Sequence, residues 1–230
     1  MNNLRDIITV DGLAASGKSA LAKELAKRLG FGHLNSGLLY RAVAFAVLSE
    51  GRDLLNGDAV LEVMGRHSIE LTKEPGNSSL VVLLDGVVRT DELLSKEVSL
   101  GASQVARHQG VRDLLLDLQR QAFGSSGVVA EGRDMGTVIF PDARVKFFVT
   151  ARLDIRAARR FSQLKDTPER ATLEDIKAEL EQRDNRDASS AVGTMKQAQG
   201  AIVVDNSDEP FGKVVAKMEQ AITSVPQSQN

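Results

Sequence analysis

Short apolar runs rich in β-branched residues alternate along the chain with longer stretches of helical periodicity. Four such runs occupy residues 6–10, 128–130, 145–149 and 201–204. They are apolar on both faces, as is typical of strands in a parallel sheet that helices cover from both sides. The pattern therefore predicts an α/β fold built on a buried parallel sheet.

The stretches between these runs predict helices. Leucines recur on one face over 20–29 and again over 111–123, which indicates two amphipathic helices. From 152 to 187 the chain is highly charged and helical, with an interruption at Thr167-Pro168, because a residue before proline resists helical geometry. We expect two helices in this region with a mobile joint between them.

One stretch breaks the alternation of strands and helices. Strand-like runs lie at 67–72, 80–84 and 87–89. Turn residues separate them, at 74–77 and at Asp85-Gly86. These features predict a small β insert at roughly 66–90.

Composition places the chain among ordinary globular proteins. Its 230 residues are 42% hydrophobic and 26% charged, which excludes the collagen-like, disordered and membrane classes. The formal charge of −2 gives no basic excess for nucleic acid or an anionic membrane, so any anion site is local. The lack of cysteine excludes disulfides, thiolate metal sites and cysteine nucleophiles. We expect a cytoplasmic protein with no nucleic-acid or membrane partner.

The segment after the first predicted strand matches the phosphate-binding pattern G-x-x-x-x-G-K-[ST], known as the P-loop. It consists of Gly12, Leu13, Ala14, Ala15, Ser16, Gly17, Lys18 and Ser19, followed by Ala20. Glycine at both ends permits a tight turn whose backbone N–H groups converge on phosphate oxygens at a helix N-terminus. Lys18 adds a charge for the β- and γ-phosphates, and the Ser19 hydroxyl suits Mg²⁺. The segment therefore predicts a nucleoside triphosphate site.

A P-loop identifies the nucleotide class but not the reaction. The strings D-x-x-G and N-K-x-D, typical of GTPases, do not occur in the sequence, which argues against a regulatory switch. Asp11 fits two roles equally, a cap at the end of the strand or a carboxylate behind the Mg²⁺ ligands. His33, His67 and His108 have no spacing typical of a metal site, and we expect ordinary surface or half-buried residues.

Arginines recur after the P-loop. Arg41 follows the turn-like segment 35–37, and Arg133 comes directly after the predicted strand at 128–130, at the carboxyl end where α/β sheets bind ligands. The charged helical region adds Arg156, Arg159, Arg160 and Arg183. The first three of these share one helix face, where their like charges repel unless an anion is present. This set favours phosphoryl transfer to an acceptor that itself carries a phosphate.

With these motifs in place, the chain resembles the bacterial cytidylate kinase family of nucleoside monophosphate kinases over nearly its whole length. The resemblance rests on residues 10–19, 35–41, 102–106 with 111–112, 132–143 and 183–187. The string GRDMGTVIFPDA at 132–143 is the most specific. The family implies a three-layer P-loop fold with a five-stranded parallel sheet. It also implies a monophosphate-binding insert at about 62–100 and a helical lid at about 152–170.

The resemblance also implies a site for CMP or dCMP, with ATP and Mg²⁺ as cofactors. The implied contacts to the CMP phosphate or ribose are Ser36, Gly37, Arg41, Arg133, Arg183 and Asp187, the last accepting the ribose hydroxyls. Those to the cytosine edge are Ser103 and Arg112, with Asp134 close by. The implied catalytic residues are Lys18, Arg133, Arg156, Arg159 and Arg160. We expect a monomer that acts on small molecules.

The sequence departs from the family pattern at several positions. Ala15 stands where glycine is common, Asn35 replaces the usual aspartate of the turn, and Ala188-Ser189-Ser190 follows Asp187 where another arginine is typical. Two further functions stay open. One is a P-loop kinase for another nucleotide or a small metabolite, and the other is a nucleotide-dependent binding protein without turnover.

Overall fold

The computed structural model describes residues 7–73, 78–121, 127–164, 171–189 and 195–225. The strands in these ranges are β1 (Ile7–Gly12), β2 (Gly32–Asn35), β3 (Ile69–Lys73), β4 (Leu80–Leu84), β5 (Val87–Val88), β6 (Val128–Gly132), β7 (Val145–Thr150) and β8 (Ile202–Asp205). The helices up to the middle of the chain are α1 (Lys18–Leu29), α2 (Ser36–Ser49), α3 (Gly57–Met64), α4 (Thr90–Leu93), α5 (Lys96–Val105) and α6 (Gln109–Gln121). The later ones are a π-helical turn (Met135–Ile139), α7 (Leu153–Leu164), α8 (Leu173–Ser189) and α9 (Phe211–Ser224).

The main sheet has five strands in the order β2-β6-β1-β7-β8, and every pairing in it is parallel. β1 lies at the centre, where Ile8 is in register with Val129 on one side and Val145 on the other. The order places β1 beside β6, so the segments that follow these two strands emerge at the same edge. That edge is where parallel sheets bind ligands.

Helices cover both faces of this sheet. One face packs the side chains of Ile8, Val10 and Phe147 against α1 and α9. The opposite face packs Ile7 and Leu34 against the π-helical turn, and α2 also contacts β6. The predicted three-layer α/β architecture is therefore confirmed.

The strands differ from the predicted set at the two edges of the sheet. β1 and β6 are buried at every residue, as the apolar runs predicted. β8 is present but not buried, since Ile202 is 36% exposed and Val203 53% exposed. A run of apolar residues shows strand propensity, but it does not show how many neighbours cover the strand. β2 was not predicted, because its sequence Gly-His-Leu-Asn gives a weak strand signal.

The predicted β insert forms a separate antiparallel sheet in the order β3-β4-β5, which we call the insert sheet. Asp85 and Gly86 connect β4 to β5 with φ values of 53° and 74°. Two positive φ values in a two-residue loop match the tight hairpin turn that Asp-Gly favours. The predicted turn at 74–77 lies outside the described residues.

The charged region forms α7 and α8, as predicted, and these two helices pack against each other and the P-loop. Ala157 of α7 and Ile176 and Leu180 of α8 form a small apolar cluster with Ala14. The predicted joint at Thr167-Pro168 lies outside the described residues. Within the described ranges, no helix is both long enough and apolar enough to cross a bilayer.

Candidate active site

The P-loop connects the buried end of β1 to the N-terminus of α1. Gly12 has a φ of 148°, and a Cβ there would lie 2.0 Å from the carbonyl oxygen of Val149, so only glycine fits. Gly17 precedes α1 with a φ of 90°, and α1 has neither a side-chain cap nor an acidic residue in its first turn. Since the first N–H groups of a helix lack partners within it, this terminus attracts an anion. Ala15 also has a positive φ, 56°, where the glycine common in the family would be unstrained.

Side chains from several elements hold the carbonyl oxygens of the P-loop. The contacts are Arg133 Nη1 to Gly12 O at 2.6 Å, Lys18 Nζ to Leu13 O at 3.3 Å, Arg156 Nη1 to Ala14 O at 3.3 Å and Asn206 Nδ2 to Ser16 O at 2.7 Å. We call these four donors, Arg133, Lys18, Arg156 and Asn206, the carbonyl clamp. With these carbonyl groups occupied, the loop is held in a fixed shape. Two of its N–H groups are used within the protein, that of Leu13 by Val149 O and that of Ser16 by Leu13 O, and the N–H groups at the start of α1 suit phosphate oxygens.

Asn206 is a site residue that the sequence analysis missed. It follows β8 directly, is 4% exposed, and lies so close to Gly17 that a Cβ on Gly17 would be 2.5 Å from its Nδ2. Arg159 binds at the same place in the P-loop. Its Nη1 donates to Ser16 O at 3.2 Å, and its Nη2 donates to Asn206 O at 2.6 Å. An asparagine at the end of a short strand forms no spacing motif, so only the strand order brings it to the loop.

Four cationic side chains predicted for the site interact electrostatically in the cleft. Burial, then the charges of Arg133 and Arg183, lowers the pKa of Lys18 to about 7. Burial, then the charge of Arg183, lowers the pKa of Arg133 to about 10. Burial and the charge of Arg183 also lower the pKa of Arg41. Like charges that disfavour each other's protonated forms are stabilised by a bound anion, so the cluster is suited to phosphate.

Carboxylates balance part of this positive charge. Asp187 Oδ2 lies 3.2 Å from Arg133 Nη2 and 4.0 Å from Arg183 Nε. Glu131, at the end of β6, is 1% exposed, and its charge raises the pKa of Lys18 and of Arg41 against the larger effect of burial. No role for Glu131 was predicted from the sequence, although it directly precedes the specific motif at 132–143.

Asp11 has a structural partner for each of its carboxylate oxygens. Oδ1 accepts the N–H of Met135 and Oδ2 accepts the N–H of Gly136, both at 2.8 Å. Burial raises the pKa of Asp11, and these two hydrogen bonds oppose that effect. Of the two roles that the sequence left open, this geometry favours the cap, because the carboxylate anchors the turn that carries Arg133.

Ser36 begins α2 beside the turn that follows β6. It is 4% exposed, and a Cβ on Gly132 would lie 2.6 Å from its Oγ. Gly37 follows it on the same helix, and Arg41 lies one turn further, where its Nη1 donates to Leu93 O at 3.2 Å. The N-terminal part of α2 therefore contributes to the same cleft as β6.

The residues predicted to contact the base lie around the start of α6. Arg112 forms an ion pair with Asp134 and donates from Nη1 to Ala106 O at 3.2 Å. Its guanidinium lies over the Tyr40 ring at 5.8 Å from the centroid. Ser103 is on α5, and its Oγ donates to Leu100 O at 2.7 Å. The structure thus brings Arg112 and Asp134 into contact, with Ser103 on the neighbouring helix.

The three arginines of α7 lie in different environments. Arg156 is 5% exposed, and its Nη2 lies 2.7 Å from Asp184 Oδ2 in addition to its contact with the P-loop. Arg159 contacts the P-loop and Asn206, as described above. Arg160 contacts Gln163 at 3.5 Å, and its charge acts on Arg41. Of the three, Arg160 has no hydrogen bond to the P-loop among the described residues.

The residues present are compatible with Mg²⁺ held mainly by a nucleotide. Within the described residues, no group of three or more His, Asp or Glu side chains is placed to hold a metal ion. Mg²⁺ in phosphate sites commonly uses one or two protein ligands together with phosphate oxygens and water. Ser19 is exposed in the first turn of α1, next to Lys18, and its hydroxyl fits that limited role.

Comparison with known proteins links this site to one family. A family model described as cytidylate kinase matches residues 8–224, a range that includes every site residue named above. A cytidylate kinase of Azotobacter vinelandii is 41% identical over 219 residues, which cover 95% of each chain. One of Pseudomonas fluorescens is 39% identical over 222 residues, covering 96% of this chain and 97% of that protein. A gluconokinase structure from Sinorhizobium meliloti 1021 aligns with a TM-score of 0.46 at 13% identity, covering 96% and 93% of the two chains.

Proposed function

Because the chain belongs to the cytidylate kinase family, we propose that it transfers the γ-phosphoryl group of ATP to CMP or dCMP, giving ADP and CDP or dCDP. The observation that carries the proposal is the position of Arg133, which donates to Gly12 O of the P-loop and lies 3.2 Å from Asp187 of α8, the carboxylate that Arg183 also approaches. A single bound phosphate group would be neutralised by fewer cationic side chains than the four that lie in the cleft. A cluster that extends from the P-loop to α2 and α8 suits two phosphate-bearing molecules that meet end to end.

The donor nucleotide would lie in the P-loop, residues 12–20, with its phosphates against the N-terminus of α1. The acceptor phosphate would be held by Ser36, Gly37, Arg41, Arg133 and Arg183. Asp187 would accept the ribose hydroxyls, and Arg112, Ser103 and Asp134 would recognise cytosine. The pairing of Arg112 with Asp134 leaves the planar guanidinium fixed, which suits recognition of the N3 and O2 acceptors of the base.

The chemistry would be in-line displacement without a covalent enzyme intermediate. The acceptor oxygen belongs to a phosphate that is already ionised at neutral pH, so no general base is required. Lys18 and Arg133 would neutralise charge on the transferred group, and Arg159 and Arg160 would approach it from α7. We assign Arg156 to the same machinery as a positioning residue, since its guanidinium holds Ala14 and Asp184. Mg²⁺, when held at Ser19 and the phosphates, would supply further charge neutralisation.

Two parts of the chain would move during the cycle. We propose that the insert at about 62–100 closes over the monophosphate, and that the lid at about 152–170 closes over the transferred group. Closure excludes water, which otherwise competes as phosphoryl acceptor. The insert sheet and the core are separate sheets, which supports movement of one against the other.

A coupled assay of ADP formation against CMP, dCMP, UMP, AMP and GMP tests the proposal. We expect turnover with CMP and dCMP, and a loss on the order of 10²–10³ in kcat for Lys18→Ala. ADP formation with AMP but not CMP would instead indicate a P-loop kinase for another acceptor. Nucleotide binding without ADP formation for any acceptor would indicate a binding protein. Monomeric state and cytoplasmic location stay predictions.

A further inference from the structure

His33 lies on β2, where the main sheet meets the insert sheet. Its backbone N–H donates to the carbonyl oxygen of Ser78 at 2.7 Å, and its Nδ1 lies 3.0 Å from Ser79 Oγ. Ser79 immediately precedes β4. The sequence predicted a surface or half-buried histidine, whereas His33 is 4% exposed. Its imidazole is therefore enclosed between the core and the insert sheet.

The other ring nitrogen of His33 faces Glu131. Its Nε2 lies 3.5 Å from Oε1 of Glu131. Neither carboxylate oxygen of Glu131 has a hydrogen-bond partner within the described ranges, although the residue is buried. A buried carboxylate without hydrogen bonds is unfavourable, and such a group calls for an explanation. Glu131 also acts on Lys18 and Arg41, which belong to the two proposed phosphate sites.

The ring contacts of His33 suit one tautomer. With the proton on Nε2, Ser79 Oγ–H donates to Nδ1 and Nε2–H is directed at the carboxylate. The 3.5 Å between Nε2 and Oε1 exceeds the usual N–H···O distance of about 2.7–3.2 Å. A shift of a few tenths of an ångström would complete the hydrogen bond. The ring is thus placed to respond to a small movement of the insert.

We propose that His33 is a positioning residue that transmits closure of the insert sheet on the monophosphate to the carboxylate of Glu131, and so couples the binding of the two nucleotides. This inference rests on the proposed function. When the insert sheet closes, Ser78 and Ser79 pull the edge of β2 with them. The Nε2–H group of His33 then comes close enough to Glu131 to form a hydrogen bond with its carboxylate. A carboxylate fixed in one position orients both cations that it attracts, so the donor and acceptor sites become ordered together.

The test measures the Kd of a non-hydrolysable ATP analogue with Mg²⁺, in the absence of CMP and at saturating CMP. We expect CMP to strengthen analogue binding about 10-fold in the unmodified protein, a coupling of ordinary size. His33→Asn keeps an amide near the Nδ1 position but loses the reach to Glu131, and it should reduce the factor to about 1. His33→Gln keeps a donor near the Nε2 position and should retain part of the coupling.

Ser79→Ala removes only the hydroxyl that contacts His33 from the insert side. Because Ser79 is half-buried, this variant should fold even if a substitution at the buried His33 does not. The Ser79→Ala substitution should also reduce the factor by which CMP strengthens analogue binding, to about 2 or less. His67→Gln is the matched control. His67 joins the insert to α2 through Asp85 and Glu50, away from Glu131. It should change CMP affinity modestly and leave the coupling factor intact.

The outcomes separate two failures. If the unmodified protein does not bind both nucleotides, the proposed function is wrong and this inference falls with it. If both nucleotides bind but their coupling is absent, or if His33→Asn and Ser79→Ala keep the full factor, the role of His33 is wrong while the kinase assignment stands. A loss of coupling in His67→Gln equal to that in Ser79→Ala would show general loosening of the insert, and would also overturn the proposal.

Discussion

Arg133 Nη1 donates to the carbonyl oxygen of Gly12 at 2.6 Å, which ties the turn after β6 to the first residue of the P-loop. Its second terminal nitrogen lies 3.2 Å from Asp187 Oδ2. A single planar guanidinium therefore spans the donor loop and the helix that carries the proposed ribose contact. An ammonium group has no fork with which to hold both partners.

Replacing Arg133 should show whether catalysis needs both contacts of its guanidinium or only its positive charge. Arg133→Lys keeps the charge but loses one of the two contacts, and we expect kcat to fall on the order of 10², with a fall of up to 10³ for Arg133→Ala. The coupled assay with CMP measures both. Arg52→Lys, at an exposed arginine paired with Glu62, should leave kcat unchanged. Full activity in Arg133→Lys would mean that only charge is needed.

Lys18 should take up a proton when a triphosphate binds. Its pKa of about 7 leaves it largely neutral at pH 8 in the free protein, and bound phosphates restore the charged form. Calorimetry of analogue binding in buffers of different ionisation enthalpy should therefore show a larger net proton uptake at pH 8 than at pH 6. Lys18→Arg should show almost none at either pH. An equal uptake in that variant would assign the proton to another group.

The pair formed by Arg112 and Asp134 should govern both selectivity and stability. Arg112→Met leaves a buried carboxylate unpaired, so the free energy of unfolding should fall by about 3–5 kcal/mol. Its preference for CMP over UMP in kcat/KM should fall at least about 10-fold. Adding Asp134→Asn should recover part of the stability but none of the preference. Recovery of both would show that Arg112 only shapes the pocket.

Substitutions at Arg156 and Arg160 should distinguish a structural role from a catalytic one. Arg156→Ala leaves Asp184 without its partner and Ala14 O without its donor, so urea unfolding should show a loss of about 3 kcal/mol. Arg160→Ala should change stability by less than about 0.5 kcal/mol. Its kcat should fall on the order of 10². A kcat unchanged in Arg160→Ala would leave Arg159 as the arginine of α7 that approaches the phosphoryl group.

The contribution of His67 to the stability of the protein should depend on pH. Its hydrogen bonds to Asp85 and Glu50 raise the pKa of His67 above its ordinary 6.5. The folded state therefore binds the proton more tightly, so the stabilisation is complete below pH 6.5 and is lost as the pH rises through the folded-state pKa. Urea unfolding of the unmodified protein and His67→Gln should differ more at pH 5.5 than at pH 8.5. The opposite order would show that the neutral ring is the preferred form.

The parts of the fold that follow from local chemistry were predictable from the sequence. The P-loop combines a buried strand, two glycines and a helix start within a dozen residues, and its pattern is visible without knowing the rest of the chain. The Asp-Gly turn of the insert and the buried runs of β1 and β6 are local in the same sense. β2 was missed because four residues with a histidine and an asparagine give almost no periodic signal.

The relationships that depend on strand order were not predictable. Asn206 reaches Ser16 because β8 and β1 flank β7, and the charge of Glu131 acts on Lys18 because β6 adjoins β1. Nothing in the spacing of these residues encodes that arrangement. The different environments of Arg156, Arg159 and Arg160 depend in the same way on how α7 packs against α8 and the P-loop.

The carbonyl clamp has a consequence for the catalytic cycle. Its donors are side chains of the protein itself, so the loop does not depend on a guest molecule to keep its outline. We therefore expect the P-loop to keep its shape when ADP departs, so that the next ATP binds a preformed site without a slow rearrangement of the loop.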